Sequence, residues 1–290
     1  MKQPRVHSLY HLETGTWSHL VADGETNSAL IIDPVLDFDA GSGRTGTGFA
    51  QQLVDIAATS GYRVEWILET HAHADHLSAA PWLKTRLQAR TGIGAGIREV
   101  QRIFKPIFNL ESGFATDGSQ FDHLFADHEH FRLGAIDCEV IPTPGHTSDS
   151  VSYRIGDAVF VGDSLFMPDG GTARCDFPGG DAATLYASIQ RLYSLPDDSR
   201  VFVCHDYCPA GRAVRCETTI GAEKAGNSHV RTGVTEAQFV ALRQARDATL
   251  ALPALILQSV QVNIRAGELP PPEGNGVRYL KIPLDRRLPS

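Results

Sequence analysis

The sequence is short of positive charge. Its 290 residues include 26 Lys and Arg against 34 Asp and Glu, a formal net charge of −8. Proteins that bind nucleic acid usually carry a basic face, so this balance disfavours a nucleic-acid partner. The N-terminus lacks the apolar core of a signal peptide, and no apolar run reaches membrane-spanning length. We therefore expect a cytoplasmic protein with no membrane partner.

Cysteine is also scarce, and the cysteines form no paired pattern. The five are Cys138, Cys175, Cys204, Cys208 and Cys216. A chain of this length can bury a core without disulfides, so reduced thiols are the simplest expectation. Cys204 and Cys208 lack the second pair that a zinc motif would need. The glycine-rich stretch 40–48 lacks the Gly-Lys-Ser/Thr of a phosphate-binding loop, and we interpret it as a plain loop.

What the sequence does contain is a dense cluster of metal-binding side chains in residues 70–76, Thr-His-Ala-His-Ala-Asp-His. In extended backbone, side chains two residues apart point the same way, so His71 and His73 can share one ion. Asp75 and His76 follow once the chain has begun to turn, and they can face a second position. Imidazole and carboxylate groups suit zinc, iron or manganese.

The pattern around this cluster predicts strands and helices mixed throughout the chain. Predicted strands cover 6–10, 16–22, 29–34, 63–69, 93–97, 135–141, 150–155, 158–161 and 200–204. Predicted helices cover 49–60, a segment from Ser78 as cap to about 92, 98–109, 181–194 with Asp181 as cap, and 235–248. The histidines of 127–130 are not presented by an apolar strand, so we interpret that segment as a solvated loop or strand edge.

Three further ligand candidates each follow a predicted strand. His146 ends a sharp Thr-Pro-Gly-His turn between two strands. Asp163 stands at a strand end beside Gly162, which lets the backbone come close. His205 directly follows strand 200–204. The chain therefore carries single metal-binding side chains on several loops after strands.

These residues together resemble the ordered signature of the metallo-β-lactamase superfamily, which is His-x-His-x-Asp-His and then a histidine, an aspartate and a histidine. The matching residues are His71, His73, Asp75, His76, His146, Asp163 and His205. The resemblance spans about 6–230 and implies an α/β fold, an αβ/βα sandwich of two mixed β-sheets flanked by helices. We expect one domain over 1–290, with 231–290 as a C-terminal helical and extended extension.

Other stretches are similar to the persulfide dioxygenases of this superfamily, which oxidise glutathione persulfide. Residues 172–177 resemble their Gly-Arg-Thr-Asp-Phe stretch, 204–207 their Ala-His-Asp-Tyr, and 218–227 their Ser-Thr-Ile-Gly-Glu-Glu run with its following asparagine. Alanine and cysteine flank Arg174 where the family has glycine and threonine, and an extra stretch intervenes at 208–212.

This resemblance implies one Fe(2+) per chain, held by His71, His146 and Asp163. Two histidines and one carboxylate leave coordination positions for a substrate sulfur and O2. The implied substrates are glutathione persulfide, or a similar small thiol persulfide, and O2, and the implied products are sulfite and glutathione. The family resemblance also favours a homodimer.

The remaining residues of the signature have two interpretations. In a dioxygenase, His73, Asp75, His76 and His205 orient ligands and waters. In a thioester hydrolase of glyoxalase II type, all seven residues would hold two Zn(2+) per chain, with Asp163 as bridge and a metal-activated hydroxide. Helix 235–248 and the tail 263–272 look unlike the glutathione-binding helical domain of those hydrolases. A non-catalytic metal-binding protein is a third interpretation, which the intact set of seven disfavours.

The implied substrate contacts also have alternatives. Arg174 could grip a glutathione carboxylate or form an internal ion pair with Asp176. Tyr207 could hydrogen-bond the tripeptide or pack in the core. Cys175 could take part in sulfur handling or serve as a small packing residue.

Overall fold

The structure is a computed structural model that describes residues 2–208 and 211–285. Its strands are β1 (Arg5–His11), β2 (Thr16–Ala22), β3 (Ser28–Ile32), β4 (Val35–Asp39), β5 (Arg44–Gly46), β6 (Arg63–Leu68), β7 (Leu77–Ser78), β8 (Arg90–Gly94), β9 (His123–Phe125), β10 (His130–Leu133), β11 (Ile136–Pro142), β12 (Val151–Ile155), β13 (Ala158–Phe160), β14 (Arg200–Phe202) and β15 (Glu217–Thr219). Its helices are α1 (Gly48–Ser60), α2 (Ala80–Leu87), α3 (Ile97–Ile107), α4 (Ala182–Tyr193), α5 (Ile220–Gly226), α6 (Glu236–Asp247) and α7 (Ile256–Asn263).

Two mixed sheets form the centre of the molecule. The first has the order β1-β2-β3-β6-β8-β9, and its neighbours from β3 to β9 are parallel. The second has the order β10-β11-β12-β13-β14-β15, with β13 and β14 parallel. A small sheet, β5-β4-β7, lies beside them. The expected pair of mixed sheets is therefore confirmed.

Apolar side chains fill three layers around these sheets. Leu30, Trp66 and Leu68 of the first sheet pack against Tyr153 and Phe160 of the second to form the central core. The outer face of the first sheet is covered by α1 and α2, and that of the second by α4 and α6. Both faces of each sheet are thus buried, as strands with near-continuous apolar runs require. This is the expected αβ/βα sandwich.

Local signals set several helix ends. The Asp181 side chain accepts a hydrogen bond from Thr184 N at 2.7 Å and caps α4, as predicted. Helix α1 ends at Gly61, whose φ of +69° places it in the left-handed region that favours glycine. Helix α6 begins with a capping box between Thr235 and Gln238.

Several predicted boundaries were wrong. Ala79, not Ser78, occupies the N-cap position of α2; Ser78 belongs to β7, and its hydroxyl donates to Glu69 while accepting a hydrogen bond from Ala80 N, the first residue of α2, at 3.0 Å. The strand predicted at 93–97 ends at Gly94, and Ile97 already begins α3. The glycine-rich stretch 40–48 is not wholly a loop, since it contains β5. The 127–130 segment leads into the edge strand β10, as predicted.

The C-terminal extension packs on the body of the protein. Ile256 and Val260 of α7 join Ile97, Val100 and Phe104 of α3 in one buried cluster. The last five residues of the predicted extension, 286–290, lie outside the described residues, as does Met1 of the predicted domain. Across residues 2–208 and 211–285, no helix has both the length and the apolar character that crossing a membrane requires.

Candidate metal centre

Loops from both sheets converge at one edge of the sandwich. His71 and its neighbours follow β6 of the first sheet. His146 lies in the turn between β11 and β12, Asp163 follows β13, and His205 follows β14, all in the second sheet. A strand end is a rigid support, so each loop can hold its side chain in a fixed direction.

His71, His146 and Asp163 form a compact buried group. Their ligand atoms all lie within 4.8 Å of one another. Asp163 Oδ2 is 3.5 Å from His146 Nε2 and 3.9 Å from His71 Nε2. Each of the three residues is more than nine-tenths buried. The structure therefore brings together the three side chains that the sequence assigned to one metal ion.

Hydrogen bonds behind the two histidines fix which ring nitrogen faces the centre. His146 Nδ1 donates to the carbonyl oxygen of Arg174 at 2.7 Å, because a carbonyl can only accept. His71 Nδ1 lies 3.0 Å from Thr70 Oγ1, whose own hydroxyl donates to Asp33 Oδ2 at 2.9 Å. Both Nδ1 atoms therefore carry the proton, and both Nε2 lone pairs point inward, as metal ligation requires.

The protonation state of His71 suits a cation. Burial lowers the pKa of His71 well below its usual value, and the neighbouring His73 and His146 lower it further, so the ring is neutral. Asp163 Oδ1 and His205 Nε2 are buried without a hydrogen-bond partner among the described residues. Leaving such atoms unsatisfied is costly, and a metal ion would satisfy them. Two imidazoles and a carboxylate fit iron, zinc or manganese.

His73 lies beside His71, among several carboxylates. Its Nε2 lies 3.0 Å from Asp33 Oδ1 and 3.6 Å from Glu69 Oε2, and its Nδ1 lies 4.0 Å from Asp75 Oδ1. Both ring nitrogens thus face carboxylates. Its ring packs on that of His71 with centroids 4.0 Å apart. Neither ring nitrogen of His73 has a hydrogen-bond partner among the described residues, and one ligand atom of His73 lies within 4.8 Å of ligand atoms of Asp75 and His76.

Asp75, His76 and His205 form a second cluster on the other side of Asp163. His205 Nδ1 donates to Gly15 O at 3.0 Å, and its Nε2 lies 3.3 Å from Asp75 Oδ2 and 3.5 Å from Asp163 Oδ1. His76 Nδ1 lies 3.1 Å from Asp75 Oδ2. The two oxygens of Asp163 therefore face two different sets of side chains.

Several residues that support the centre were not assigned a role from the sequence. Asp33 accepts hydrogen bonds from the backbone and the hydroxyl of Thr70, at 2.7 and 2.9 Å. Asp149 Oδ2 accepts from Ala72 N at 2.9 Å. Asn263 of α7 donates to the carbonyls of His73 and His76. An aspartate before a proline at the end of β3 was a usable signal for Asp33, whereas nothing in the local sequence pointed to Asn263.

A cavity of about 510 Å³ opens beside the centre. Asp163, His146 and Asp75 lie on one side of it, and residues 243–255 of the C-terminal extension line it as well. This volume is typical of a small-molecule site. The cavity therefore gives a ligand direct access to the candidate metal position.

Arg174 and Tyr207, the two residues expected to contact the substrate, both line this cavity, but their surroundings differ. Arg174 donates to both carboxylate oxygens of Asp176, at 2.6 and 2.7 Å, and to Ala251 O. The internal ion pair with Asp176 is thus present. Tyr207 is 64% exposed, and its ring lies parallel to His205 with centroids 5.7 Å apart. Core packing is therefore the wrong interpretation of Tyr207. Pro209 and Ala210, within the extra stretch 208–212, lie outside the described residues.

Cys175 lies behind the cavity wall. It is buried, and burial raises the pKa of its thiol to about 12. A protonated, enclosed thiol is a poor nucleophile. The geometry thus favours the packing interpretation of Cys175 over sulfur handling.

Helix α6 holds the loop that binds His146. Arg243 is fully buried, donates to Thr172 O at 3.0 Å and pairs with Asp247. Asp247 Oδ2 in turn accepts a hydrogen bond from Cys175 N at 2.9 Å. Because Arg174, between these residues, supplies the carbonyl for His146, the C-terminal extension supports a residue of the candidate metal centre.

Comparison with known proteins finds a matching family model and several similar proteins. The family model described as Metallo-beta-lactamase superfamily matches residues 13–205. A probable metallo-hydrolase of Burkholderia pseudomallei is 52% identical, over 97% of this chain and 99% of its own length. Glyoxylase B2 of Dictyostelium discoideum is 50% identical, over 94% of each chain. The mitochondrial persulfide dioxygenase ETHE1 of Bos taurus is 27% identical, over 91% of this chain and 89% of its own.

Among solved structures, the crystal structure of ETHE1 from Myxococcus xanthus is similar to this chain. The two share 30% identity and a TM-score of 0.72, over 91% of this chain and 100% of the other.

Proposed function

We propose that this chain, which belongs to the metallo-beta-lactamase superfamily, is an iron-dependent persulfide dioxygenase. The observation that carries the proposal is the compact, buried three-residue group His71, His146 and Asp163. Two histidines and one carboxylate with open positions are typical of non-haem iron oxygenases. The likeness to ETHE1 proteins in sequence and structure supports the same activity.

The proposed reaction oxidises the outer sulfur of glutathione persulfide. Persulfide, O2 and one water give thiol, sulfite and two protons, and O2 is the oxidant that is reduced. Ferrous iron, when bound, supplies a centre that accepts both the substrate sulfur and O2. His71, His146 and Asp163 would hold the iron, while His73, Asp75 and His205 orient these ligands and the waters near them.

The protein's own contribution is mainly orientation. Thr70 and Arg174 O fix the tautomers of the two histidines, so their Nε2 atoms stay directed inward. Phe177 packs edge-on against His146, with centroids 5.3 Å apart, and forms part of the cavity wall. Tyr207, an exposed residue that lines the cavity, would contact the peptide part of a substrate. We further propose that residues 1–290 form one domain, in which residues between 243 and 255 of the C-terminal extension contribute to the cavity wall.

The test is oxygen uptake by anaerobically iron-loaded protein on addition of glutathione persulfide. We expect rapid uptake and sulfite release in the wild type, and loss of both in His71→Ala. His130→Ala, which changes an exposed histidine on β10, is the matched control and should retain activity. No uptake by protein that contains iron would refute the proposal.

A second candidate is a dinuclear thioester hydrolase, which splits a glutathione thioester with water into an acid and a thiol. The observation that favours it is that Asp163 faces His146 with one oxygen and His205 with the other, as a bridging carboxylate would. The names metallo-hydrolase and Glyoxylase B2 of the relatives above also suit it. His73 does not separate the two candidates: its Nε2 lies 3.0 Å from Asp33 Oδ1, while its Nδ1 is buried without a hydrogen-bond partner among the described residues.

Metal counting separates the two candidates. In a dioxygenase we expect one iron per chain, and His76→Ala should keep that ion. In a dinuclear hydrolase the wild type would bind two zinc ions per chain, and His76→Ala would lose one of them together with thioester hydrolysis. Elemental analysis of protein purified from metal-supplemented cells measures both.

A further inference from the structure

Among the described residues, three arginines line the cavity beside the candidate metal centre, and two of them already have ionic partners. Arg174 forms two hydrogen bonds to Asp176. Arg243 is buried and pairs with Asp247. The charges of both guanidinium groups are therefore compensated within the protein.

The third is Arg246, on the last turn of α6. It is exposed and lines the cavity. Within residues 2–208 and 211–285, its guanidinium has no side-chain hydrogen bond or ion pair. A guanidinium carries donors in a fork that matches a carboxylate, so Arg246 presents an uncompensated anion-binding group to the cavity.

The support of Arg246 is rigid. Helix α6 is fixed at its start by the capping box and along its inner face by buried Phe239 and Arg243. The neighbouring lining is mostly apolar, with Leu250, Pro253 and Leu255 from the segment that follows. An ion pair beside apolar surface is screened less than one in open water. Arg246 is thus placed to bind a ligand carboxylate.

We propose that Arg246 is the specificity-determining residue that binds a carboxylate of an anionic low-molecular-weight thiol, with glutathione as the representative. The persulfide form of that substrate rests on the proposed function, but recognition of the carboxylate does not. The role that the family resemblance assigned to Arg174 passes to Arg246, because Arg174 is engaged with Asp176. The C-terminal extension thereby selects the substrate.

The experiment measures glutathione binding to metal-loaded protein by calorimetry. We expect Arg246→Ala to weaken binding about ten- to a hundredfold, the effect of losing a hydrogen bond to a charged group. Arg246→Lys keeps the positive charge but loses the forked arrangement of donors, so the affinity of this variant for glutathione should lie between those of the wild type and Arg246→Ala. Arg231→Ala is the matched control, since Arg231 is exposed, lines a different pocket and should leave affinity unchanged.

A second ligand tests whether the effect of Arg246 depends on the carboxylate of the thiol. Cysteamine carries a thiol and no carboxylate, so Arg246→Ala should bind it as the wild type does. With glutathione persulfide, Arg246→Ala should raise KM by the same ten- to hundredfold and change kcat little, which is the behaviour of a binding residue. Equal loss for both thiols, or equal loss in Arg231→Ala, would show unspecific electrostatics and overturn the proposal.

The two proposals fail separately. If oxygen uptake occurs with the same KM in Arg246→Ala and wild type, the inference about Arg246 is wrong while the dioxygenase stands. If the wild type takes up no oxygen but glutathione binding depends on Arg246, the dioxygenase is wrong and the inference stands. Failure of wild-type protein to bind glutathione at all would overturn the role of Arg246.

Discussion

At the scale of single residues, Thr70 serves two buried groups with one hydroxyl. Its Oγ1 accepts from His71 Nδ1 and donates to Asp33 Oδ2. Gly162, with φ of +52°, lies so close that a Cβ there would come within 2.6 Å of this oxygen. The contact fixes the ring of His71, and partners of this kind typically set metal affinity.

Thr70→Val tests this contact, because valine keeps the shape and removes both hydrogen bonds. We expect metal affinity to fall about ten- to a hundredfold, as for other partners of ligating histidines. Competition with a chromophoric chelator measures the affinity. Thr85→Val, on the exposed side of α2, is the control and should bind metal like the wild type. Equal affinities for wild type and Thr70→Val would refute the orienting role.

The buried carboxyl of Glu223 should make the free energy of unfolding depend on pH. Burial raises the pKa of this carboxyl to about 8, although it accepts a hydrogen bond from Asn227 Nδ2 at 2.7 Å. Its ordinary value is 4.5, so between these values the unfolded chain has released the proton and the folded chain retains it. Stability therefore falls as pH rises through this window, by at most about 1.4 kcal/mol per unit.

The cleanest interval is pH 6.5 to 8, because His19 and His229, whose pKa values burial lowers to about 4, stay neutral there in the folded state. We expect Glu223→Gln to remove a decline of about 2 kcal/mol over this interval. Urea unfolding of the wild type and the variant at both pH values measures the difference. Parallel slopes in the two proteins would contradict the assignment.

At the scale of elements, helix α7 lies outside the two sheets and holds in place residues 70–76, the segment with four candidate ligands, here called the metal loop. Asn263 at its end donates to His73 O at 2.8 Å and His76 O at 2.7 Å, and accepts from Ser78 N at 2.9 Å. One side chain thus fixes both ends of the segment that carries the histidines. Each backbone group that loses its partner in the buried interior costs about 1–3 kcal/mol.

Asn263→Ala should therefore lower both stability and metal affinity. We expect a loss of about 2–4 kcal/mol in the free energy of unfolding, together with weaker metal binding. Chemical denaturation and the chelator competition measure the two effects. Asn275→Ala, which changes an exposed asparagine of the same extension, should do neither. A stability loss without any change in metal affinity would show that α7 does not support the candidate metal centre.

These elements also show what the sequence could predict. Helices α1, α3, α4 and α6 were found because their apolar periodicity spans several turns. Helix α7 was not predicted, since it has eight residues and no side-chain cap at its start. The short strands β7 and β9 depend on pairing partners far along the chain, which local periodicity does not contain. Tertiary contacts decide such elements.

The candidate site likewise has features that the local sequence predicts and features that depend on tertiary contacts. The spacing in 70–76 and three single residues after strands predicted the candidate ligands, because strand ends carry such loops. Which of the seven would share one ion depends on contacts between distant segments, such as that of His73 with Asp33. Arg246 and Asn263 reach the cavity and the metal loop only through the packing of the C-terminal extension. Such long-range contacts cannot be predicted from local pattern.

At the scale of the whole molecule, the candidate metal centre joins the two sheets. His71 follows a strand of the first sheet, while His146 and Asp163 follow strands of the second. An ion held by all three would bridge the layers of the sandwich at its open edge. Because such a ligand group exists only in the folded chain, binding adds directly to the free energy of unfolding.

Metal addition should therefore stabilise the entire fold. At a free Fe(2+) concentration of 100 Kd, we expect a gain of about 2.7 kcal/mol, which for a chain of this size raises Tm by about 4–5 °C. Anaerobic calorimetry with and without iron measures the shift, and a chelator should reverse it. His71→Ala should abolish the shift, while His130→Ala should keep it. A shift of equal size in His71→Ala would place the stabilising ion elsewhere, since that variant lacks the ligand that the first sheet contributes.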